Sequence, residues 1–214
     1  MPTDTDREMS RLERLMWEVY DHVKDNGARI YEGGASVAEA DYLQRLTQTS
    51  GALAIVEIGF NIGFSSIAFL EAAPDTTVVS FELDRRHAVV MAKEFVDARY
   101  PGRHELVIGD SRTTVPQYAE VNAGRFDLVF VDGGHEYEIA AADIANARAL
   151  AKPGGLIVVD DLVPWYPWGE GPHLAWTEAV ADGLITPVES VVDGVVVEVI
   201  AEPGDRAWAA GRFL

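Results

Sequence analysis

The chain has 214 residues, 48% of them apolar and 24% charged, a balance that fits one globular unit and excludes a disordered or collagen-like chain. Folding at this length buries roughly 70% of the unfolded surface, so the core needs no staple. Cysteine is absent, which excludes disulfide scaffolds, thiol nucleophiles and thiolate-bound zinc or iron–sulfur centres. The 17 Lys and Arg face 35 Asp and Glu, and the net charge of −18 repels polyphosphates and anionic membranes. Nucleic acid and membrane are therefore not expected as partners. No apolar run approaches the roughly 20 residues of a membrane span, and Met1 to Ser10 is too polar for a signal peptide, so a cytoplasmic protein is expected.

In chain order, Leu12, Leu15, Met16, Val19 and Val23 recur at helical spacing, with Asn26-Gly27 as a stop. Ser36 and Glu39 form the pattern of a capping box, followed by the apolar stripe Val37, Ala40, Leu43 and Leu46. After Ser50-Gly51 the texture changes. Five apolar runs read as buried strands: Ala54 to Ile58, Thr77 to Phe81, Glu105 to Ile108, Phe126 to Val131 and Leu156 to Val159. Helical patterns separate most of them, notably Arg85 to Tyr100 and Tyr137 to Ala151. Such alternation predicts a parallel sheet covered on both faces. The last third carries the aromatic loop Pro164-Trp-Tyr-Pro-Trp168 and a short helix near His173 to Ala181. Two runs, Pro187 to Val192 and Val195 to Ala201, then flank Asp193-Gly194, the favoured chemistry of a two-residue hairpin. The organisation expected is a single domain over 1–214. Residues 1–50 form a helical cap, 51–161 the core, and 162–214 an aromatic loop with a closing antiparallel hairpin.

In open α/β sheets ligands bind beyond the carboxyl ends of the strands, so the residue after each run is the informative one. Those residues are the turn Glu57-Ile-Gly59-Phe-Asn61-Ile-Gly63-Phe-Ser65-Ser66, then Glu82, then Gly109-Asp110-Ser111, then Asp132-Gly-Gly-His135, then Asp160-Asp161. Five consecutive strand ends carry an acid or a glycine turn. Gly59 permits a sharp turn and close ligand approach, and the loop opens a helix whose free N–H groups suit an anionic group; the same turn serves simple packing. Glu82, roughly 20 residues on, fits a carboxylate accepting from both hydroxyls of a ribose, or a solvated acid beside Arg85 and Arg86. Asp110 and Ser111 suit an adenine edge and equally a helix N-cap.

These strand ends resemble class I S-adenosylmethionine-dependent methyltransferases, over about Ala54 to Asp161, half the chain. The resemblance implies a Rossmann-like, doubly wound, mostly parallel seven-stranded sheet ending in an antiparallel pair. It implies that the loop with Glu57, Gly59, Asn61, Gly63 and Ser65 faces the methionine part of S-adenosylmethionine. Glu82 would hold the ribose, and Asp110 with Ser111 would contact adenine, with Asp132 beside the cofactor. Within that superfamily the chain is most similar to metal-dependent small-molecule O-methyltransferases of the catechol, caffeoyl-CoA and macrolide-sugar type. Their acidic metal ligands map onto Asp132, Asp160 and Asp161, which as hard oxygen donors suit Mg²⁺ or another divalent cation. Their general base maps onto His135. Catechol enzymes usually carry lysine there and Asp-Asn at the metal, so His135 and Asp160-Asp161 lean towards the sugar-hydroxyl branch. The family also implies a small hydroxylated acceptor (a natural product, sugar or phenolic) and a homodimer.

Other readings remain at this stage. Asp160 and Asp161 also suit a loop cap, which would leave a metal-independent O- or N-methyltransferase with His135 as sole base. Trp165, Tyr166, Trp168, His173 and Trp176 suit an acceptor wall, a hydrophobic plug or a subunit interface. A nucleotide-dependent oxidoreductase is a competing class, since Tyr20-x-x-x-Lys24 has short-chain-reductase spacing, but it precedes the glycine loop, at the wrong end of the fold. A non-catalytic sensor of the cofactor would have no use for His135 beside three carboxylates.

Overall fold

Both N-terminal stripes are helical in the computed structural model, which describes residues 9–30 and 34–214; most of the polar opening, residues 1–8, lies outside the described residues, as do 31–33. Helix α1 (Arg11–Asp25) starts at Ser10, whose hydroxyl accepts from the Glu13 amide, and it buries all five residues of its stripe. Asn26 caps its end, followed by Gly27 in the left-handed region. Helix α2 (Val37–Ser50) opens with the expected capping box. Ser36 Oγ accepts from Glu39 N at 3.1 Å, and Ser36 N donates to Glu39 Oε2 at 3.3 Å.

Strand and helix then alternate through β1 (Ala54–Ile58), α3 (Phe64–Leu70), β2 (Thr77–Glu82), α4 (His87–Arg99) and β3 (His104–Ile108). The second half follows with α5 (Ser111–Asn122), β4 (Phe126–Val131), α6 (Tyr137–Leu150), β5 (Ala151–Val159) and α7 (Glu170–Ala181). Three further strands close the sheet: β6 (Ile185–Val192), β7 (Val195–Val197) and β8 (Ala207–Phe213). The spatial order is β3-β2-β1-β4-β5-β8-β6-β7, with β1 to β5 parallel and the last three antiparallel. Strand order reverses between β1 and β4, the place where a crevice opens in such sheets. Alternate strand residues feed two cores. Helices α1 to α4 cover one face, with Ile55, Leu128 and Val158; α5 to α7 cover the other, with Val56, Val129 and Val159.

The sheet differs from the sequence expectation in one element. It has eight strands rather than seven, and the hairpin across Asp193-Gly194 does not meet the parallel strands directly. Strand β8 lies between β5 and β6, and β7 is a three-residue edge. The segment Ala207-Trp-Ala-Ala-Gly-Arg-Phe213 is rich in alanine and glycine, which are depleted from strands, so propensity hid it. Tertiary packing selects those small residues, because β8 is paired on both sides and buried along most of its length. A side chain on Gly211 would run into Ile185 and stand 2.9 Å from the Thr186 carbonyl oxygen. Replacing Gly211 by valine therefore overpacks the sheet and costs about 1–3 kcal/mol. The expected outcome in a thermal melt is a midpoint several degrees below wild type; an unchanged midpoint would mean that β8 is not clamped between its neighbours.

Candidate active site

The parallel ladders bring the strand ends to one height. Phe81, Ile58, Val131 and Val159 are register partners across β2, β1, β4 and β5. The ladder runs one residue further, with Gly59 N bonded to Phe81 O (2.8 Å), Asp132 N to Ile58 O (2.9 Å) and Asp160 N to Val131 O (3.0 Å). Adjacent strands lie roughly 4.8 Å apart, so residues 28 positions apart in sequence become side-by-side neighbours. Around this row lies a cavity of about 800 Å³, a size that suits a small ligand or cofactor.

Gly59 makes the row possible. Its φ is 101°, and a Cβ there would collide with the Asp132 carbonyl oxygen and stand 2.7 Å from its carbon. The loop beyond it is tied to β2 through Glu82, whose Oε2 accepts from the amides of Phe60 (3.2 Å) and Asn61 (2.8 Å). The other oxygen, Oε1, lies 3.6 Å from the Arg86 guanidinium. Beneath the loop, Glu57 is fully buried and accepts from the hydroxyls of Ser65, Ser66 and Ser80. Burial pushes its carboxyl up to about 7 even so. Ser80 also pairs with His104 Nε2 at 2.7 Å, and burial drives that imidazole down to about 3, so it is neutral.

At the ends of β4 and β5 the charge is concentrated. Ligand oxygens of Asp132, Asp160 and Asp161 all lie within 4.8 Å of one another. Asp161 adopts φ 61°, in the left-handed region that aspartate tolerates better than most residues. Burial first, then neighbouring carboxylates, holds Asp132 and Asp160 well above the usual carboxylate range: Asp160 and Asp161 act on Asp132, and Glu39 and Asp161 act on Asp160. His135 Nε2 lies 2.8 Å from Asp161 Oδ2. Two residues from distant parts of the chain join them. Glu39 of α2 is fully buried and pushed up to about 8, by burial first and then by Asp132. Arg206, just before β8, reaches it with Nη1 at 3.7 Å from Oε2. Hard oxygens at this separation, with the Arg206 guanidinium against four carboxyl groups among the described residues, fit a divalent cation.

Of the sequence-derived residues, Gly59, Asn61, Glu82, Asp110, Ser111, Asp132, His135, Asp160 and Asp161 line the cavity. Glu57, Gly63 and Ser65 do not: the first and third form the buried support just described, and Gly63 is the left-handed residue that opens α3. Asp110 caps α5 and holds the Arg112 guanidinium with both oxygens, the N-cap alternative of the sequence reading. From the aromatic loop only Trp168 lines the cavity; it is 45% exposed and stacks on Tyr166 at 4.5 Å and 6°. Trp165 donates to the Gly204 carbonyl and Trp176 belongs to the core. Sequence reasoning missed Gly34, Asp205 and Arg206 in the lining, and Glu39 beside it; Arg86 was named only as a neighbour of Glu82, where it stands. The capping-box pattern marks Glu39 but gives its carboxylate only a local task.

The fold and this row of strand ends are those of a class I S-adenosylmethionine-dependent methyltransferase. The methyltransferase-domain family matches residues 56–162, half the chain, and the protein belongs to it. Among curated proteins it is 31% identical over 130 residues to a catechol O-methyltransferase of Niastella koreensis, covering 58% of this chain and 56% of that one. To a catechol O-methyltransferase of Mycobacterium tuberculosis it is 35% identical over 129 residues, 60% and 56% of the two chains. The match thus spans little more than half the length of these relatives. In fold the chain is similar to the O-methyltransferase from Bacillus cereus in complex with SAH (TM-score 0.73, 21% identity, 98% and 93% of the chains covered). It is likewise similar to the SAM-bound O-methyltransferase of tomaymycin synthesis from Streptomyces achromogenes (TM-score 0.70, 21%, 98% and 92%). Among the described residues no helix is long and apolar enough to cross a membrane.

The buried acids set the sign of the pH response. A carboxyl whose folded pKa is raised binds its proton more tightly folded than unfolded. Its contribution is fully present at low pH and is lost as pH rises from the unfolded value through the folded one. Glu39, near 8, and Glu57, near 7, together give roughly 2 kcal/mol between pH 8 and 6.5. His104 works oppositely, but only below its unfolded value of about 6.5. The metal-free protein should melt roughly 4–8 °C higher at pH 6.5 than at pH 8; a flat or falling midpoint over that window would contradict these burial effects.

Proposed function

We propose that the protein transfers a methyl group from S-adenosylmethionine to a hydroxyl of a small acceptor, with a divalent cation held by Asp132, Asp160 and Asp161 and with His135 as general base. The observation that carries the reading is the single wall formed by three carboxylates within 4.8 Å and an imidazole 2.8 Å from one of them. The curated relatives' names support an O-linked acceptor. The exposed face of Trp168, stiffened by its stack on Tyr166, favours a planar phenolic one.

S-adenosylmethionine brings the methyl group as a sulfonium, and a bound cation brings the positive charge that acidifies the acceptor hydroxyl. The chain's own groups do the rest. Glu82 spends Oε2 on the loop amides and offers Oε1 to the ribose, so it binds and shapes the loop with one carboxylate. His135 takes the acceptor's proton, and Asp161, bonded to Nε2, orients the ring and stabilises the imidazolium that results. Trp168 and the strand tips hold the acceptor in line with the donor, where the gain comes mainly from positioning.

Incubation with labelled S-adenosylmethionine and a panel of phenols, catechols and sugars should yield an O-methylated product. Exhaustive chelation with EDTA should abolish turnover and Mg²⁺ should restore it. Transfer that survives chelation would remove the cation and leave His135 as sole base. His135→Ala should bind S-adenosylhomocysteine as wild type in calorimetry yet turn over roughly 10²-fold more slowly; wild-type turnover would take His135 out of the mechanism.

A further inference from the structure

We propose that Glu39 is a positioning residue for the cation site, through which an ion bound at the strand tips clamps the N-terminal helix α2 onto the sheet. The inference rests on the cation-assisted reading above and extends it to an element that lies outside the family match. Glu39 is the third residue of α2 and has no exposed surface. Its Oε2 has two partners, the Ser36 amide at 3.3 Å and Arg206 at 3.7 Å. Its Oε1 is buried without a donor in good hydrogen-bond geometry, and the carboxyl lies against that of Asp160. Two carboxyl groups buried against each other are costly when ionised unless something positive arrives there.

Arg206 cannot supply that alone. It brings one charge against Glu39, Asp132, Asp160 and Asp161, and it is itself held at the rim. Asp193, in the turn between β6 and β7, accepts from the Arg206 amide at 3.0 Å, and its own amide donates to the Arg206 carbonyl. The same turn abuts α2, since a Cβ on Gly194 would stand 3.0 Å from Ala38 Cβ. The first turn of α2, the β6–β7 turn and the approach to β8 therefore meet at the acidic corner. Among the described residues only oxygens of Asp132, Asp160 and Asp161 are mutually close enough to share an ion, so Glu39 acts through Asp160 and through the ion's field. Outer partners of this kind set ligand orientation and typically matter 10–100-fold in metal affinity.

The test uses the full chain with saturating S-adenosylhomocysteine, MnCl₂ as the probe, and the variant Glu39→Gln. Glutamine keeps the capping box and the side-chain volume while removing the charge. Wild type should bind Mn²⁺, and binding should slow amide hydrogen exchange in the first turns of α2. Glu39→Gln should bind Mn²⁺ at least about tenfold more weakly, without that protection, while its metal-free melting midpoint equals or exceeds wild type. Equal Mn²⁺ affinity in the two proteins overturns the inference and leaves the cation-assisted reading standing. Weaker binding with a lowered metal-free midpoint and α2 protection retained also overturns it, because Glu39 would then be merely structural. Absence of Mn²⁺ binding in wild type overturns both.

Discussion

Parallel register is the constraint on which the site depends. Four strands end together because Phe81, Ile58, Val131 and Val159 pair across the sheet, and the next residue on each becomes a functional group or the glycine that admits one. A slip of one residue in β4 or β5 would reverse which side chains face the two cores, and the apolar alternation forbids it. The rigidity of the row is thus inherited from the hydrophobic cores rather than from interactions among the site residues. Those interactions are mostly repulsive.

That repulsion is the second organising feature. Among the described residues four carboxyl groups gather at one corner, with the Arg206 guanidinium and the His135 imidazole set against them, so metal-free folding is opposed there by desolvation and by like charge. Strain of this kind is usually found where a ligand relieves it. The sites of attachment are informative too. Asp132 and Asp160 sit at the rigid tips of strands, whereas Glu39 comes from α2 and Arg206 from the segment that leads into β8. Charge at this one point therefore couples three regions that are distant in sequence.

Much of the core architecture was legible in the sequence because its signals are local. Apolar runs bounded by glycine and acid gave β1 to β4 to within a residue and the end of β5, whose start at Ala151 lay hidden in a polar, glycine-containing stretch, and Ser36 with Glu39 announced the start of α2. The acids after each run were readable because a parallel sheet leaves only one end for ligands. What escaped did so for physical reasons. Strand β8 is chosen by tight packing, which favours alanine and glycine against their strand propensity. Glu57 and Ser65 belong to the motif, yet from sequence nothing separates a residue that touches a ligand from one that braces the loop beneath it. Arg206 and Glu39 reach the site by tertiary folding alone. Trp168 could not be told from its aromatic neighbours until Trp165 and Trp176 were found engaged elsewhere.

The central claim is that the acidic corner is a cation site and not a set of protonated acids. Crystals grown with S-adenosylhomocysteine and MnCl₂, measured for manganese anomalous scattering, test it most directly. The account predicts one peak among Asp132, Asp160 and Asp161, with an oxygen of each roughly 2 Å away. A map without a peak there at saturating Mn²⁺, with the three carboxyl groups bonded to one another instead, would contradict it.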